Sequence, residues 1–299
     1  MSSEHHDHPP YQKHYFESMV QQNQASMMGI WLFMAQEIMF FGGLFGAYTA
    51  YRYTYPAAYA ASAETLDVFL GFMNTLVLIG SSYTVVLMVH AAREGKKNAM
   101  AIWMVATMIL GAAFLGVKVV EYKAKFDHKL VPGKHFDDHY VVASMIKDDK
   151  AVEKMSRFPE NGWVRDYQAA RAGAADHSGD HAEEPGSNTT HGKGDAHEKK
   201  DGAHGAKGDS GDHSGDAHPV PAGAKAPKGT PLYFALYFAM TGTHALHMII
   251  GEGIAIWLLI CILRGRFSPA YHPQIEYFGL YWHFVDIVWI FLFPLLYLI

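Results

Sequence analysis

The chain has 299 residues, of which 50% are hydrophobic, and a formal net charge of −5. Its mean hydropathy is close to zero, as in an ordinary soluble protein, but this average combines long apolar stretches with one very polar stretch. The single cysteine, Cys261, excludes an internal disulfide, a CxxCH haem attachment, an iron–sulfur cluster and a thiolate copper centre within the chain. No basic stripe with interleaved aromatic residues indicates nucleic-acid binding.

Five apolar runs predict transmembrane helices. A polar, histidine-bearing tail, residues 1–28, precedes them, and it lacks the basic and short apolar regions of a cleaved signal peptide. Each run is near or above the roughly 20 residues that a spanning helix needs. Residues 29–122 hold the first three runs and residues 232–299 the last two: 29–52, 68–92, 100–122, 232–262 and 275–298. The fold class is therefore an all-α integral membrane protein with five transmembrane helices.

A long insertion, residues 123–231, separates the third span from the fourth. Its part at 135–171 has enough apolar side chains for one or two short helices on the membrane surface or on a partner. Residues 172–228 contain almost no large apolar side chain and repeat Gly, Asp, His, Ala and Lys, so they cannot bury enough surface to offset their chain entropy. We expect a largely disordered linker. A weak metal-binding tract is the alternative, with candidate ligands His177, His181, His213 and His218.

Basic residues in the short loops predict the orientation. The loops at 93–98 and 264–276 carry five Lys and Arg residues, whereas the short loop at 53–67 carries none. By the positive-inside rule, the first two loops and the N-terminus are cytoplasmic, and the C-terminus lies outside. Several lysines near the end of the third span oppose the rule, but they lead into the long insertion, and loops of that length translocate largely regardless of charge.

Ionisable side chains lie inside the predicted spans, where they are costly. Glu37 lies about 12 Å beyond the start of the first span, near the middle of a core roughly 30 Å thick. His247 on the fourth span, and His283 and Asp286 on the fifth, reach the same layer, with His244 one turn away. Because each group needs a partner in a medium without water, we expect an interhelical polar cluster.

Several roles stay open for this cluster. It could hold the first, fourth and fifth spans together, bond to an adjacent subunit, act through a proton-linked carboxylate, or contact a lipid head group. Glu37 is the better candidate for the last two roles. Lys118 and Glu121, near the end of the third span, are predicted to form an interfacial ion pair. Haem between His247 and His283 is disfavoured, and no catalytic residue or metal ligand is otherwise assigned.

Motifs in all five spans resemble subunit III of haem-copper oxidases. They are MGIWLFMAQEIMFFGGLF at 28–45, NTLVLIGSSYTV at 74–85, the segment 111–122 ending in Glu-Tyr, TGTHALHMIIG at 241–251 and YWHFVDIVW at 281–289. The chain looks like the bacterial five-helix form, which lacks two additional N-terminal helices found in seven-helix versions. The insertion departs from the family, whose usual connection is far shorter.

The resemblance implies a non-catalytic subunit without its own cofactor, located in a bacterial inner membrane with the insertion in the periplasm. It implies direct packing on subunit I, with subunit II and other oxidase subunits nearby and with haem and copper in those partners. It also implies bound phospholipid and support of proton uptake and sustained turnover. Glu37 matches the family's buried carboxylate, Glu121 its Glu-Tyr pair, and the remaining motif residues match its HxxH and WHFVD patterns: His244, His247, His283 and Asp286.

The favoured hypothesis is an accessory subunit of a proton-pumping cytochrome c oxidase in an aerobic respiratory chain, which could also join a supercomplex. The first alternative is subunit III of a quinol oxidase, or a subunit III-like partner of nitric oxide reductase. A copper A motif in subunit II would favour cytochrome c as the electron donor. A distant alternative, a stand-alone proton-linked transporter, predicts proton flux from the purified chain in liposomes.

Overall fold

In the computed structural model, the described residues are 15–16, 18–133, 136–147, 149–177, 220, 224–267 and 272–298. Every regular element among them is helical, which confirms the all-α prediction. Five helices are long and apolar enough to cross a membrane, as predicted: α1 (Met19–Thr54), α3 (Val68–Arg93), α4 (Lys97–Asp127), α8 (Thr230–Leu263) and α9 (Pro273–Tyr297). The shorter helices are α2 (Pro56–Ala63), α5 (His139–Met145), α6 (Asp149–Ser156) and α7 (Gly162–His177).

The boundaries of the spanning helices follow from local chemistry. The Ser18 hydroxyl accepts a hydrogen bond from Gln21 N at the start of α1, and Asp67 Oδ1 does the same for Leu70 N at the start of α3. Proline stands in the first turn of α2, α8 and α9, where its missing N–H costs no helical bond. Gly95, with a φ of 73°, forms the tight turn between α3 and α4. Polar capping, rather than the end of the apolar run, places the start of α1 at Met19.

Four spanning helices pack in a ring. α3 packs on α4, α4 on α8, α8 on α9, and α9 back on α3. α1 packs against α8 and α9 and leaves most of its own surface exposed. α9 is the most buried of the five, and its Trp282 and Trp289 are fully enclosed. We name the two ends of the spanning helices after residues that lie there, the Arg93 end and the Tyr297 end.

The chain divides into two compact units, one comprising Met1–Met145 with Lys225–Ile299 and the other Ile146–Ala224. In the second unit, α6 and α7 pack on each other, and Asn161 Nδ2 donates a hydrogen bond to Met155 O. His177 is the last residue of α7, but its side chain is not described. The other three histidines of the predicted metal tract lie outside the described residues: His181, His213 and His218.

Gly111 allows α4 to approach its neighbours closely. A Cβ at this position would collide with Glu252 Oε1 and lie 3.0 Å from the Trp282 ring. Gly116, on the same helix, has nothing within 4 Å of its virtual Cβ. The pair therefore provides a test of close packing in which only one site is crowded.

We expect Gly111→Ala to lower the free energy of unfolding by about 1–3 kcal/mol, because the added methyl group must displace a tryptophan or a carboxylate. Gly116→Ala should leave it unchanged within about 0.5 kcal/mol. The apparent melting temperature of the protein in mild detergent measures both. If the two substitutions lowered the free energy of unfolding equally, the absence of a side chain at Gly111 would not be required for close packing of α4.

Candidate functional site in the spanning helices

Glu37 on α1 and His247 on α8 form a buried pair. His247 Nε2 lies 3.2 Å from Glu37 Oε2, and His247 Nδ1 lies 2.8 Å from Thr243 O. A carbonyl oxygen only accepts, so Nδ1 carries a proton, and Nε2 of a neutral ring would then be an acceptor. Glu37 Oε2 has no other hydrogen-bond partner among the described residues, and one proton shared between Nε2 and Oε2 would satisfy both atoms. Whether it resides on the ring or on the carboxyl group, the pair has no net charge, which lowers the cost of burying it.

Aromatic residues of α1 and α9 enclose this pair. The Phe41 ring centroid lies 5.6 Å from that of His247, and Tyr281 OH donates a hydrogen bond to His247 O over 2.8 Å. Phe33 packs on Tyr281, with ring centroids 5.9 Å apart. The pair and its surroundings thus connect α1, α8 and α9, three helices that the sequence also placed together.

Asp286 and His283 on α9 contact serines of α3 instead. Ser82 Oγ lies 2.6 Å from His283 Nδ1, and Ser81 Oγ lies 3.4 Å from Asp286 Oδ2. Ser81 Oγ also accepts a hydrogen bond from Trp282 Nε1. Asp286 is only 3% exposed. Its Oδ1 atom is buried and has no hydrogen-bond partner among the described residues.

The structure thus divides the predicted cluster into a pair facing α1 and a group facing α3. Equal depth in the membrane does not make two side chains neighbours, because each also has a direction around its helix. His244 shows the same effect, since it lies one turn from His247 but points elsewhere. Its ring is 1% exposed and packs between Phe114 and Trp289, at centroid distances of 5.5 and 5.2 Å. Among the described residues, neither ring nitrogen of His244 has a hydrogen-bond partner.

Lys118 and Glu121 pair near the Tyr297 end, inside the bundle rather than at its edge. Lys118 Nζ donates to Glu121 Oε2 over 2.7 Å and to Tyr297 OH over 2.8 Å. Glu121 Oε1 accepts from Tyr237 OH and Tyr297 OH, each over 2.6 Å, and Lys125 Nζ lies 3.4 Å from it. The spacing of three residues on one helix predicted the Lys118–Glu121 pair. The tyrosines come from α8 and α9, and nothing in the sequence around the pair indicates them.

A groove of about 550 Å³ lies between α3 and α9 at the Arg93 end. Arg93 Nε and Nη2 both donate to Glu276 Oε1, over 3.0 and 2.9 Å. Next to the groove, in the turn after α3, a hydrogen bond from Lys96 holds the pKa of Glu94 below its usual value. The residues that line the groove are mostly apolar: Met27, Val86, Leu87, Val89, His90, Arg93, Glu276, Gly279, Leu280 and His283.

A second cavity, of about 240 Å³, adjoins His283 on the same face of the protein. Its lining combines three polar side chains with four aliphatic ones: Leu78, Ile79, Ser82, His283, Asp286, Ile287 and Ile290. Within the described residues, no group of three or more His, Cys, Asp and Glu side chains could hold a metal ion.

Comparisons with known proteins agree with the motifs. Residues 13–129 and 229–299 match the family described as "Cytochrome c oxidase subunit III". The "Probable quinol oxidase subunit 3" of Staphylococcus haemolyticus (strain JCSC1435) is 22% identical over 283 residues, which cover 95% of this chain and 93% of that protein. The protein of the same name from Staphylococcus aureus (strain USA300) has the same identity and coverage. The segment left unmatched between the two family ranges contains most of the insertion.

Replacing Lys118 tests the buried ion network. Lys118→Met should lower the free energy of unfolding by about 3–5 kcal/mol, because it removes one partner of a buried ion pair and leaves Glu121 less well compensated. Lys123→Met provides the control, since Lys123 is exposed on the same helix. Thermal unfolding in mild detergent gives the comparison. If both variants unfold alike, the Lys118–Glu121 pair contributes no more than a surface charge.

Proposed function

The chain belongs to the cytochrome c oxidase subunit III family of haem-copper oxidases, and we propose that it is a non-catalytic accessory subunit of a terminal oxidase. In this role it packs on subunit I and supports proton uptake and sustained turnover there, while haem and copper belong to partner subunits. The observation that carries the proposal is the family match, which covers all five spanning helices. Two groups of ionisable side chains in these spans pair across or along the helices, Glu37 with His247 and Glu121 with Lys118 and Lys125, as suits a scaffold.

The Glu37–His247 pair is the proposed proton-linked group. Because its shared proton can reside on either partner without a net change of charge, it can respond to the protonation state of a neighbouring group at low electrostatic cost. The rings of Phe41 and Tyr281 pack around it, and the His247 and Glu37 side chains are only 13% and 9% exposed. This arrangement supports a role beside a proton-conducting partner, and it also connects α1 to the ring of helices.

We propose a location in a bacterial inner membrane with the Arg93 end on the cytoplasmic side. The loops at that end contain Arg93, Lys96, Lys97, Arg264 and Arg266, and the short loop at the other end contains no lysine or arginine. A membrane that retains positive loops in the cytoplasm orients such a chain with its N-terminus inside. The insertion then lies in the periplasm.

Cytochrome c is the first candidate for the electron donor of the complex, and quinol is the second. The description of the family names cytochrome c, whereas the relatives that match along 95% of the chain are named as quinol oxidase subunits. Oxygen consumption by the purified complex, measured with reduced cytochrome c and separately with a quinol, distinguishes the two. The role proposed for subunit III is the same in either case.

Phospholipid binding is proposed for the groove between α3 and α9. Its apolar walls suit an acyl chain. Arg93, the last residue of α3, lines the groove at the end of the helix, where a lipid phosphate would lie. Because Arg93 Nε and Nη2 already donate to Glu276 Oε1, a lipid phosphate would accept from the remaining N–H groups of the guanidinium. His90 lines the same part of the groove and offers a further donor.

Glu37→Gln should leave assembly largely intact, with a stability loss of about 1–2 kcal/mol, because glutamine keeps the shape but not the proton-sharing carboxyl group. The complex should lose activity faster during continuous turnover, measured as oxygen consumption over time. His247→Gln should have the same effect, and the double variant should be no worse, because the two side chains act as one unit. Loss of subunit III from the purified Glu37→Gln complex would instead show that Glu37 mainly holds the helices together.

Arg93→Gln should reduce the amount of phospholipid that co-purifies with the complex, because the groove loses its cationic head-group contact. Arg264→Gln is the matched control, since Arg264 is exposed at the same end but does not line the groove. Mass spectrometry of lipids extracted from complexes purified in mild detergent gives the measurement. Equal lipid content in both variants would contradict the proposed head-group site.

A further inference from the structure

α1 is the least enclosed of the five spanning helices. Its buried residues, Glu37, Phe41 and Tyr48, are four and seven residues apart, so they lie on one side of the helix. That side meets the rest of the bundle. We call the opposite side the outer face of α1, and all of its central residues are exposed: Leu32, Ala35, Gln36, Met39, Gly42, Gly43 and Gly46.

Gln36 places an amide in the middle of this outer face. It lies 17 residues after Met19 and 18 before Thr54 in α1, which is about 26 and 27 Å from the two helix ends at 1.5 Å per residue. The amide has no hydrogen-bond partner among the described residues. By contrast, ionisable side chains near the middle of other spanning helices, such as His247 and Asp286, are buried or half-buried in the bundle.

An exposed amide at this depth favours a protein neighbour over lipid. The hydrocarbon core is roughly 30 Å thick, and lipid tails offer no hydrogen bond, so an amide that faced them would remain unsatisfied. The side chain of Gln36 is also too short to reach either membrane surface from the middle of the core. A spanning helix with a hydroxyl, amide or carboxyl side chain at the same depth can supply the missing bond.

Glycines beside Gln36 allow such a helix to come close. Gly42, Gly43 and Gly46 have nothing within 4 Å of a virtual Cβ, so no close contact within the described chain requires glycine there. Gly42 and Gly46 have the four-residue spacing at which membrane helices approach closely. Gly43 lies two turns after Gln36 on the same side, about 10 Å along the axis. One crossing helix can therefore reach both the glycines and the amide.

We propose that the outer face of α1 docks a membrane-spanning helix of another oxidase subunit. The partner helix has a small residue where it passes Gly42 and Gly46, and a hydroxyl, amide or carboxyl side chain level with Gln36. Glu37, the next residue, points into the bundle toward His247, so the two polar side chains serve different contacts. The inference rests on the proposed accessory role and adds the surface by which the subunit is held in the complex.

Replacing Gln36 with leucine distinguishes a protein neighbour from lipid by the sign of the effect. If a partner helix bonds to the amide, Gln36→Leu should raise the apparent dissociation constant of subunit III from the complex about threefold to fivefold, the effect of one interhelical hydrogen bond in a membrane. Against lipid, leucine is the better residue, and retention should be unchanged or improved. The ratio of subunit III to the other subunits, followed over a dilution series in mild detergent, gives the measurement.

Gly46→Leu should weaken retention further, at least about tenfold, because the new side chain would hold the two helices apart. The virtual Cβ at this position meets nothing in its own chain, so the bundle itself should fold normally. Gly253→Leu is the matched control, since Gly253 is exposed on α8 and also has nothing within 4 Å. An equal loss of subunit III in both glycine variants would contradict a contact specific to α1.

Photo-cross-linking identifies the neighbour of this face directly. A benzophenone amino acid replaces Met39 or, separately, Leu32, which are 78% and 67% exposed, and the purified complex is irradiated. We expect a cross-link to a spanning peptide of another oxidase subunit, identified by mass spectrometry. Cross-links that reach only phospholipid or a second copy of subunit III would overturn the proposal, as would full retention of the Gln36→Leu subunit.

The accessory role is tested on the same samples by a different result. It fails if subunit III co-purifies with no other oxidase subunit. If subunit III co-purifies with the oxidase while the outer face of α1 cross-links only to phospholipid, the accessory role stands and the docking surface is wrong. The two failures are therefore distinguishable.

Discussion

Hydrocarbon cannot form hydrogen bonds, and this constraint explains most of the specific contacts in the bundle. Each polar atom within a span must find its partner in the protein or remain at a cost. The end of α9 illustrates the rule, because its last carbonyl groups have no partner within the helix. Tyr48 OH donates to Leu295 O and Tyr233 OH donates to Leu296 O. Two other spanning helices therefore complete the hydrogen bonding of α9.

The same constraint makes α9 the helix that fixes the arrangement of the others. Its polar side chains bond to three neighbouring helices: Tyr281 donates to α8, Trp282 and Trp289 donate to α3, and Tyr297 donates to α4. Apolar contacts alone would allow helices to slide or rotate at little cost in lipid, because lipid tails are as apolar as the side chains. Four directed bonds on one helix define its depth and its rotation together.

Features that depend on composition and spacing could be predicted from the sequence. The direction in which a side chain points around its helix could not. The five spans follow from apolar length, and the Lys118–Glu121 pair follows from a spacing of three residues on one helix. Depth along each span also follows from the sequence. The facing direction of His247 and His283 does not, because it depends on how the helices rotate in the bundle. The tyrosines that bury the Lys118 pair come from distant parts of the chain and could not be predicted for the same reason.

Glu37 and Asp286 are carboxyl groups near the middle of their helices, and the chain provides them with partners of different kinds. Glu37 Oε2 lies 3.2 Å from an imidazole nitrogen of the same chain, and a proton shared between the two atoms would satisfy both. Asp286 instead meets the hydroxyl groups of two serines on α3, Ser81 and Ser82, and Ser81 Oγ lies 3.4 Å from its Oδ2 atom. A carboxyl–imidazole pair can share one proton within the subunit, which suits a structural or proton-linked role. The serine hydroxyls of α3 hold Asp286 in a layer without water, so this contact connects α9 to α3.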